Sequence, residues 1–307
     1  MSRHFPLLVL LMVVTPFITL NFTISPYLAQ ATEGDSAPRQ AQRETATDTD
    51  KPDFTSIDSM PERKSQFFDF MEKYVAQRNK EILLLRYRLQ HNEVGPKELK
   101  ALAQKYRIKS GGVDEMRQKL LKRVDVVPAS LVLAQAALES AWGTSRFAAM
   151  GNNFFGQWCF TSGCGIVPDQ RIEGKNHEVK VFDTPFDSVA SYMRNLNSHP
   201  AYKHFREKRA ELRAEHKPLN GCYLARGLTS YSAKGDAYVE SIKLMIRANR
   251  LEQDPNGYCA PIAVAKDEPS SASAAPESTP PKKQTLAVDQ AQGDAQPPAQ
   301  ADQPPSG

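Results

Sequence analysis

The sequence predicts an α+β fold that is mostly helical, with a small β-hairpin lobe inserted among the helices. Two long stretches, residues 59–142 and 185–252, repeat apolar side chains at helical spacing. Between them, glycines punctuate short runs such as "HEVKVF", which alternate polar and apolar residues as a half-buried strand does. The two ends of the chain differ from this middle part in composition, so the folded part is expected to be central.

Residues 1–31 have the pattern of a secretory signal peptide. A short basic start runs into the apolar stretch "FPLLVLLMVVTPFITL", and Ala29 and Ala31 offer a small-x-small cleavage site. An uncleaved anchor that tethers the protein to a membrane is the alternative, although the apolar run is shorter than the ~20 residues that span a bilayer comfortably. The pattern predicts export.

The composition also divides the rest of the chain. Residues 32–53 contain no aromatic or large aliphatic side chain before Phe54, which predicts a disordered linker. Residues 260–307 are rich in Pro, Ala, Ser and Gln, and predict a disordered tail. Between them we expect an N-terminal helical segment, 54–125, and a catalytic domain, 126–259.

Helix signals follow one another along the folded part. Ser59 and Glu62 have capping-box spacing with Pro61 in the first turn, and the stripe that follows predicts a core-facing helix. Its members are Phe67, Phe70, Met71, Tyr74 and Val75. Further helices are predicted near 96–106 and 113–124. The next helix begins after Val127, at Pro128, and carries Leu131, Gln135, Leu138 and Trp142 on one face. The last two predicted helical regions begin at Pro185 or Asp187 and cover "GDAYVESIKLMIRANRLE".

The chain has four cysteines, all after the apolar N-terminus, and an even set suits disulfides in an oxidising compartment. We expect Cys159 to pair with Cys164 and Cys222 with Cys259, although spacing alone permits three connectivities. Four reduced thiols are the alternative. A zinc site is disfavoured because there is no C-x-x-C pair and no histidine beside a cysteine.

Glu139 is the candidate general acid. A proton donor must hold its proton near neutral pH, and an exposed glutamate does not do so. Apolar neighbours and the negative end of a helix dipole both raise the pKa of a carboxyl group, and Glu139 is in the last turn of a predicted apolar helix that stops at Gly143. A surface glutamate on an amphipathic helix is the alternative interpretation.

The run "AQAALESAWGTSRFA" followed by "GNNFFG" resembles the signature of the lysozyme-like glucosaminidases of bacterial cell walls, glycoside hydrolase family 73. "GQWCFTSGCG" and "LTSYSAKGDAYVESIKLMI" are similar to its Bax-type branch, and the likeness covers roughly residues 90 to 255. This resemblance implies a lysozyme-like helical lobe with a small β lobe, and Glu139 as the catalytic acid. It also implies that the protein uses no cofactor, binds peptidoglycan glycan strands, and is located in the periplasm or cell envelope of a bacterium.

The same resemblance implies a second carboxylate in the hairpin "RIEGKNHEVKVF", for which we choose Glu173. Glu178 and Asp169 are the alternatives, and the sugar's own acetamide group can replace a protein nucleophile. Asn152, Asn153, Phe154 and Trp158 provide amides and aromatic faces for a sugar, with Phe155 expected in the core. Tyr231 and Tyr238 match two tyrosines of the family, although their spacing here is one residue longer.

Other classes of activity lack their signatures. The six histidines form no H-E-x-x-H run, so we expect no metal site, and no G-x-S-x-G turn is present. The formal net charge of +4 comes from mixed signs along helices, which predicts no nucleic-acid partner. Two rivals to an exported endo-β-N-acetylglucosaminidase remain: a muramidase or lytic transglycosylase on the same fold, and a non-catalytic wall-binding protein.

Overall fold

The structure is a computed structural model, and it describes residues 51–169 and 177–261. All described residues belong to one compact unit. Among the described residues no helix is long and apolar enough to cross a membrane. The predicted signal peptide and most of the predicted linker and tail lie outside the described residues.

The described residues are mostly helical, with one small antiparallel sheet, which confirms the predicted fold class. The helices and strands, in chain order, are α1 (Met60–Gln90), α2 (Pro96–Lys105), α3 (Val113–Arg123), α4 (Ala129–Ser140), α5 (Arg146–Gly151), β1 (Trp158–Cys159), β2 (Gly165–Ile166), β3 (Glu178–Lys180), α6 (Pro185–Ser198), α7 (Lys203–Ala214), α8 (Gly221–Ala225) and α9 (Asp236–Ala248). Short 3-10 helices, Phe54–Ser56 and Pro200–Tyr202, precede α1 and α7.

Helix α1 begins where the sequence predicts. The Ser59 hydroxyl accepts a hydrogen bond from the Glu62 N–H at the N-terminus, and the predicted apolar stripe is buried. The helix packs against α4 and α6, and α3 packs against α1 and α7. The N-terminal helices therefore share one hydrophobic core with the helices that follow them.

Helix α4 is buried among other helices of the described residues. Nine of its twelve residues are buried, because the sequence "ASLVLAQAALES" is apolar or small on nearly every face. It contacts α1, α8 and α9, so it is surrounded by other helices along its length. A polar group on such a helix is necessarily close to neighbouring helices.

The sheet has the strand order β1-β3-β2, with both pairs antiparallel. Trp158 lies opposite Val179 on one side, and Ile166 lies opposite Val179 on the other. The predicted strand "HEVKVF" thus forms the central strand, although only Glu178–Lys180 have strand geometry. The segment just after β3 is fastened to the end of α5, because the Phe182 N–H donates to the Gly151 carbonyl at 2.9 Å.

An ionic cluster around the buried Asp125 joins the start of α4 to α7. Asp125 is 3% exposed, and both of its carboxylate oxygens accept hydrogen bonds from Arg213, at 2.9 and 3.1 Å. Arg86 and Arg209 approach the same carboxylate at 3.9 Å. Arg209 is itself buried and donates to the Asn197 side chain at 2.6 Å. The cluster fixes the connection between α3 and α4, and so the start of the helix that carries Glu139.

Candidate active site

Glu139 lies in the last turn of α4. The helix ends immediately afterwards because Ala141 and Trp142 take left-handed backbone conformations, with φ of 50° and 61°. The Ser140 hydroxyl accepts from the Gly143 N–H at 2.9 Å, which closes the turn. The sequence placed Trp142 on the helix face beside Glu139; it lies outside the helix instead.

Aromatic residues before α1 and on α1 hold the turn after Glu139 in place. Phe54 packs against Gly143 so closely that a Cβ on that glycine would lie 2.4 Å from the ring. Trp142 packs edge-on against Phe67 and Phe68 of α1, at 6.0 and 5.3 Å between ring centroids. The turn that follows Glu139 is therefore fixed by residues from the start of the folded part.

In the part of the chain that the structure describes, the carboxyl group of Glu139 has a neutral hydrogen-bond donor and one nearby cation. Tyr238 of α9 donates its hydroxyl to Glu139 Oε1 at 2.6 Å. Burial in surrounding protein raises the pKa of Glu139, while the Tyr238 hydrogen bond and the charge of Lys234 act in the opposite direction. Burial has the larger effect, so the pKa is above its ordinary value. The side chain nevertheless keeps a partly exposed surface. A glutamate with these properties can hold a proton and deliver it to a ligand.

The second oxygen of Glu139 faces the loop that follows α5. A Cβ built on Gly156 would lie 3.9 Å from Oε2, so the backbone of the loop passes close to this oxygen. Gly156 has a φ of 62°, which glycine adopts without strain. Asn153 holds the loop, because its amide nitrogen donates to the carbonyls of Gln157 and Lys180, each at 2.8 Å.

The asparagines predicted to bind substrate have structural partners. Asn152 is buried: its amide donates to the Phe182 carbonyl at 3.2 Å, and its oxygen accepts from Lys51 Nζ at 2.6 Å. Asn153 is buried, and its oxygen accepts from the Gln157 N–H at 3.0 Å. Both amides therefore shape the loop. Lys51, which the sequence placed in the linker, takes part in that support.

Phe154 is fully buried and packs against Phe67 and Phe70 of α1, at 6.2 and 6.0 Å between ring centroids. The prediction that Phe154 offers a ring to a sugar is wrong for this position, because both of its faces are in the core. Phe155 is also fully buried, as expected, and stacks on Tyr192 at 4.0 Å.

Trp158 is half-buried on β1 and stacks face to face on His177, with ring centroids 3.8 Å apart. Tyr231 and Tyr238 lie together, stacked at 5.4 Å with nearly parallel rings. The Tyr231 hydroxyl donates to the Phe155 carbonyl at 3.1 Å, so this tyrosine supports the loop. Tyr238 is the one of the two that touches Glu139.

The candidates for the second carboxylate lie in different settings. Glu173 lies outside the described residues. Glu178 is buried, and its two oxygens accept from the backbone N–H groups of Gly163 and Gly165 at 3.0 and 2.8 Å. Asp169 is exposed and pairs with Arg146 at 3.0 Å. Both carboxylate oxygens of Glu178 therefore bind the backbone between β1 and the start of β2.

Both expected disulfides are present. Cys159 pairs with Cys164 across that same loop, and Cys222 of α8 pairs with Cys259. Within the described ranges, the two clusters with metal-ligand spacing are these cysteine pairs with Glu178 and with Glu252. Sulfur atoms joined in a disulfide are not thiolates, which are the metal-binding form of cysteine.

Three residues near Glu139 were given no role by the sequence: Gln135, Tyr192 and Lys234. Gln135 is a large polar residue in a mostly apolar, buried helix, and it lies four residues before Glu139, on the same face. That pattern is a usable signal. Tyr192 and Lys234 come from distant parts of the chain, and no local pattern connects them to Glu139.

Comparison with known proteins gives a consistent result. A family model described as mannosyl-glycoprotein endo-β-N-acetylglucosaminidase matches residues 115–251, which include Glu139 and Tyr238. The chain is 33% identical to protein bax of Escherichia coli strain K12 over 224 residues, which covers 70% of this chain and 80% of that protein. The catalytic domain of the autolysin Auto from Listeria monocytogenes aligns with 64% of this chain and 90% of that domain, at 16% identity and a TM-score of 0.36.

Proposed function

Since this chain belongs to the glucosaminidase family of glycoside hydrolases, we propose that it is an exported peptidoglycan hydrolase that cleaves the β-1,4 bond after N-acetylglucosamine. Glu139 is the general acid of this proposal. The observation that carries it is the place of Glu139: a partly exposed carboxyl group at the end of the buried helix α4, with a raised pKa and a tyrosine hydroxyl on one oxygen.

In the proposed reaction, Glu139 gives its proton to the glycosidic oxygen as the bond to the sugar's C1 breaks. The leaving sugar takes the bonding electron pair and the proton. Water supplies the new hydroxyl group at C1 and gives its other proton to the carboxylate that activates it. Such proton donation contributes typically 10²- to 10⁴-fold in rate. A pKa above the ordinary range keeps Glu139 protonated closer to neutral pH than an exposed glutamate would be.

Hydrolysis usually needs a second carboxylate to activate water or stabilise the oxocarbenium ion. Glu173 is our proposal for it, on the basis of the hairpin sequence. The geometry of Glu178 supports this choice, because both of its oxygens already accept hydrogen bonds from backbone N–H groups.

A pair of matched variants tests this choice. Glu173→Gln should lower turnover strongly and leave the melting temperature unchanged. Glu178→Gln should lower the melting temperature, because an amide cannot accept from both Gly163 and Gly165 as the carboxylate does. Turnover that falls strongly in Glu178→Gln and survives in Glu173→Gln would reassign the second carboxylate.

Mass spectrometry of digested, purified cell wall tests the linkage. The proposal predicts fragments that end in reducing N-acetylglucosamine. Reducing N-acetylmuramic acid would identify a muramidase, and an anhydro sugar would identify a lytic transglycosylase. Zymography on wall preparations tests turnover itself. A protein that binds the wall but produces no clear band under several pH and salt conditions would be a wall-binding protein instead.

The export proposal depends on the N-terminal signal pattern and on the cysteines. Two disulfides in one small catalytic unit fit an oxidising compartment such as the periplasm. Fractionation of cells, with N-terminal sequencing of the mature protein, tests both parts. A mature chain that starts at Thr32 supports a cleaved signal, and an intact N-terminus in the membrane fraction indicates a tether.

A further inference from the structure

Gln135 links two buried tyrosines to the Glu139 carboxyl group. The Tyr192 hydroxyl of α6 donates to Gln135 Oε1, and Gln135 Nε2 donates to the Tyr238 oxygen at 2.8 Å. Tyr238 then donates to Glu139 Oε1 at 2.6 Å. Gln135 is fully buried and the two tyrosines are nearly so, so water does not compete for these groups.

The direction of these hydrogen bonds is set by Tyr192, the residue farthest from Glu139 in the series. Tyr192 is 1% exposed, and within residues 51–169 and 177–261 its hydroxyl has Gln135 Oε1 as its acceptor. If the Gln135 amide were turned over, the Tyr192 hydroxyl would face an NH₂ group and its buried donor would be unsatisfied. Because buried donors are rarely left unpaired, the amide keeps Oε1 on Tyr192 and Nε2 on Tyr238.

The direction of these hydrogen bonds continues to Glu139. An amide NH₂ group is only a donor, so the Tyr238 oxygen accepts from Gln135 and its single proton must go to Glu139. Glu139 Oε1 is then an acceptor in both protonation states. When Glu139 is neutral, its own proton belongs on Oε2, the oxygen that faces the loop at Gly156.

We propose that Gln135 and Tyr192 are positioning residues that hold the transferable proton of Glu139 on Oε2. The inference rests on the proposed function of Glu139 as a general acid. In the reaction the O–H bond at Oε2 breaks, the glycosidic oxygen takes the proton, and Glu139 remains as a carboxylate still bonded to Tyr238. Tyr238 keeps its own proton, because burial and the neighbouring carboxylate raise its pKa well above the usual range.

Substitutions at Gln135 or Tyr192 leave the other titratable groups around Glu139 in place. Lys234, before α9, favours the ionised form of Glu139. Tyr231 stacks on Tyr238, and burial raises its pKa well above the usual range. The pKa of Tyr192 is raised in the same way, chiefly by burial, so none of these tyrosines ionises near neutral pH.

Tyr192→Phe is the most specific test, since it removes one hydroxyl that does not touch Glu139 and keeps the ring stacked on Phe155. Without that hydroxyl, the Gln135 amide is free to turn over and accept the Tyr238 proton. Tyr238 then accepts a proton held on Glu139 Oε1, which favours the neutral acid. The pKa of Glu139 should rise by about one pH unit, the size of one hydrogen bond to a charged group.

The measurement is a ¹³C NMR titration of the glutamate carboxyl groups, assigned with Glu139→Gln. Gln135→Met should shift the Glu139 titration in the same direction, and both variants should lower kcat with little change in KM. Tyr106→Phe is the matched control: it removes another buried tyrosine hydroxyl, which lies beside Arg78, and should leave the titration of Glu139 in place.

An unchanged or lowered Glu139 pKa in folded Tyr192→Phe or Gln135→Met would overturn the proposal. Because the titration does not depend on turnover, it separates the two inferences. A wild-type protein that fails to cleave wall glycan, but whose variants show the shift, would count against the proposed function and leave the positioning role intact.

Discussion

Asp125 and Glu139 are both carboxylic acids packed in protein, one before α4 and one at its end, and their pKa values move in opposite directions. Burial raises the pKa of each. At Asp125 the hydrogen bonds from Arg213 and the charges of Arg209 and Arg86 outweigh burial, so the pKa falls below its usual range. At Glu139 one hydroxyl and one lysine do not outweigh it.

The comparison indicates that the partners of a carboxylate decide its role. Asp125 is held ionised by guanidinium groups and ties α7 to the start of α4. Glu139 has no guanidinium contact in the described residues, and one of its oxygens is left facing the loop.

Glu139→Gln should reduce wall-glycan hydrolysis by roughly 10²- to 10⁴-fold, because an amide cannot donate the proton. Circular dichroism and wall pull-down should show a folded, binding protein. Glu72→Gln, an identical change at an exposed site on α1, should keep full activity. Lysis by Glu139→Gln at near wild-type rate would remove Glu139 from the mechanism.

Asp125→Asn should lower the free energy of unfolding by about 3 to 5 kcal/mol, since it leaves the buried Arg209 without its carboxylate. Turnover per folded molecule should be unchanged. Asp114→Asn, at the exposed start of α3, should cost below about 1 kcal/mol. Urea denaturation provides the measurement, and a small loss in Asp125→Asn would show that the arginine cluster is not a structural tie.

Loss of the Cys222–Cys259 disulfide should destabilise more than loss of Cys159–Cys164. The bridges close loops with sequence separations of 37 and 5, and chain entropy gives about 4 and about 2 kcal/mol respectively. Paired Cys→Ser variants compared by thermal unfolding test the order. The shorter bridge lies in the loop capped by Glu178, so its loss should affect activity more; equal activity in both variants would contradict that link.

Glu139→Gln should also make the folded protein more stable at neutral pH. Because the pKa of Glu139 is raised in the folded state, ionising it costs stability as pH rises above the ordinary value of 4.5, and glutamine removes that cost. The advantage should vanish below pH 4.5, where both states of the wild type are protonated. Asp125 has the opposite sign: its contribution is lost as pH falls. Unfolding curves across pH that run parallel for wild type and variant would contradict the raised pKa.

Sequence reasoning placed Glu139, the candidate acid, at the end of a buried helix because the signals for that position are local: an apolar helix, a carboxyl group in the last turn and a glycine beyond it. It failed for Phe154, since an aromatic side chain beside two asparagines does not reveal whether it points to solvent or to α1. The hydrogen bonds that join Tyr192, Gln135, Tyr238 and Glu139, and the ionic cluster around Asp125, could not be predicted from the sequence either. Their partners, such as Tyr192 and Arg213, come from distant helices, and helical periodicity reports burial but not which buried groups meet.

The pH dependence of kcat/KM on soluble wall glycan tests the contrast most directly, because its basic limb reports the pKa of the acid in the free enzyme. We predict a basic limb above pH 4.5, the ordinary pKa of a glutamate, and the same limb in Asp125→Asn. A limb centred at 4.5 or below, in an otherwise active enzyme, would contradict the claim that the setting of Glu139 makes it the proton donor.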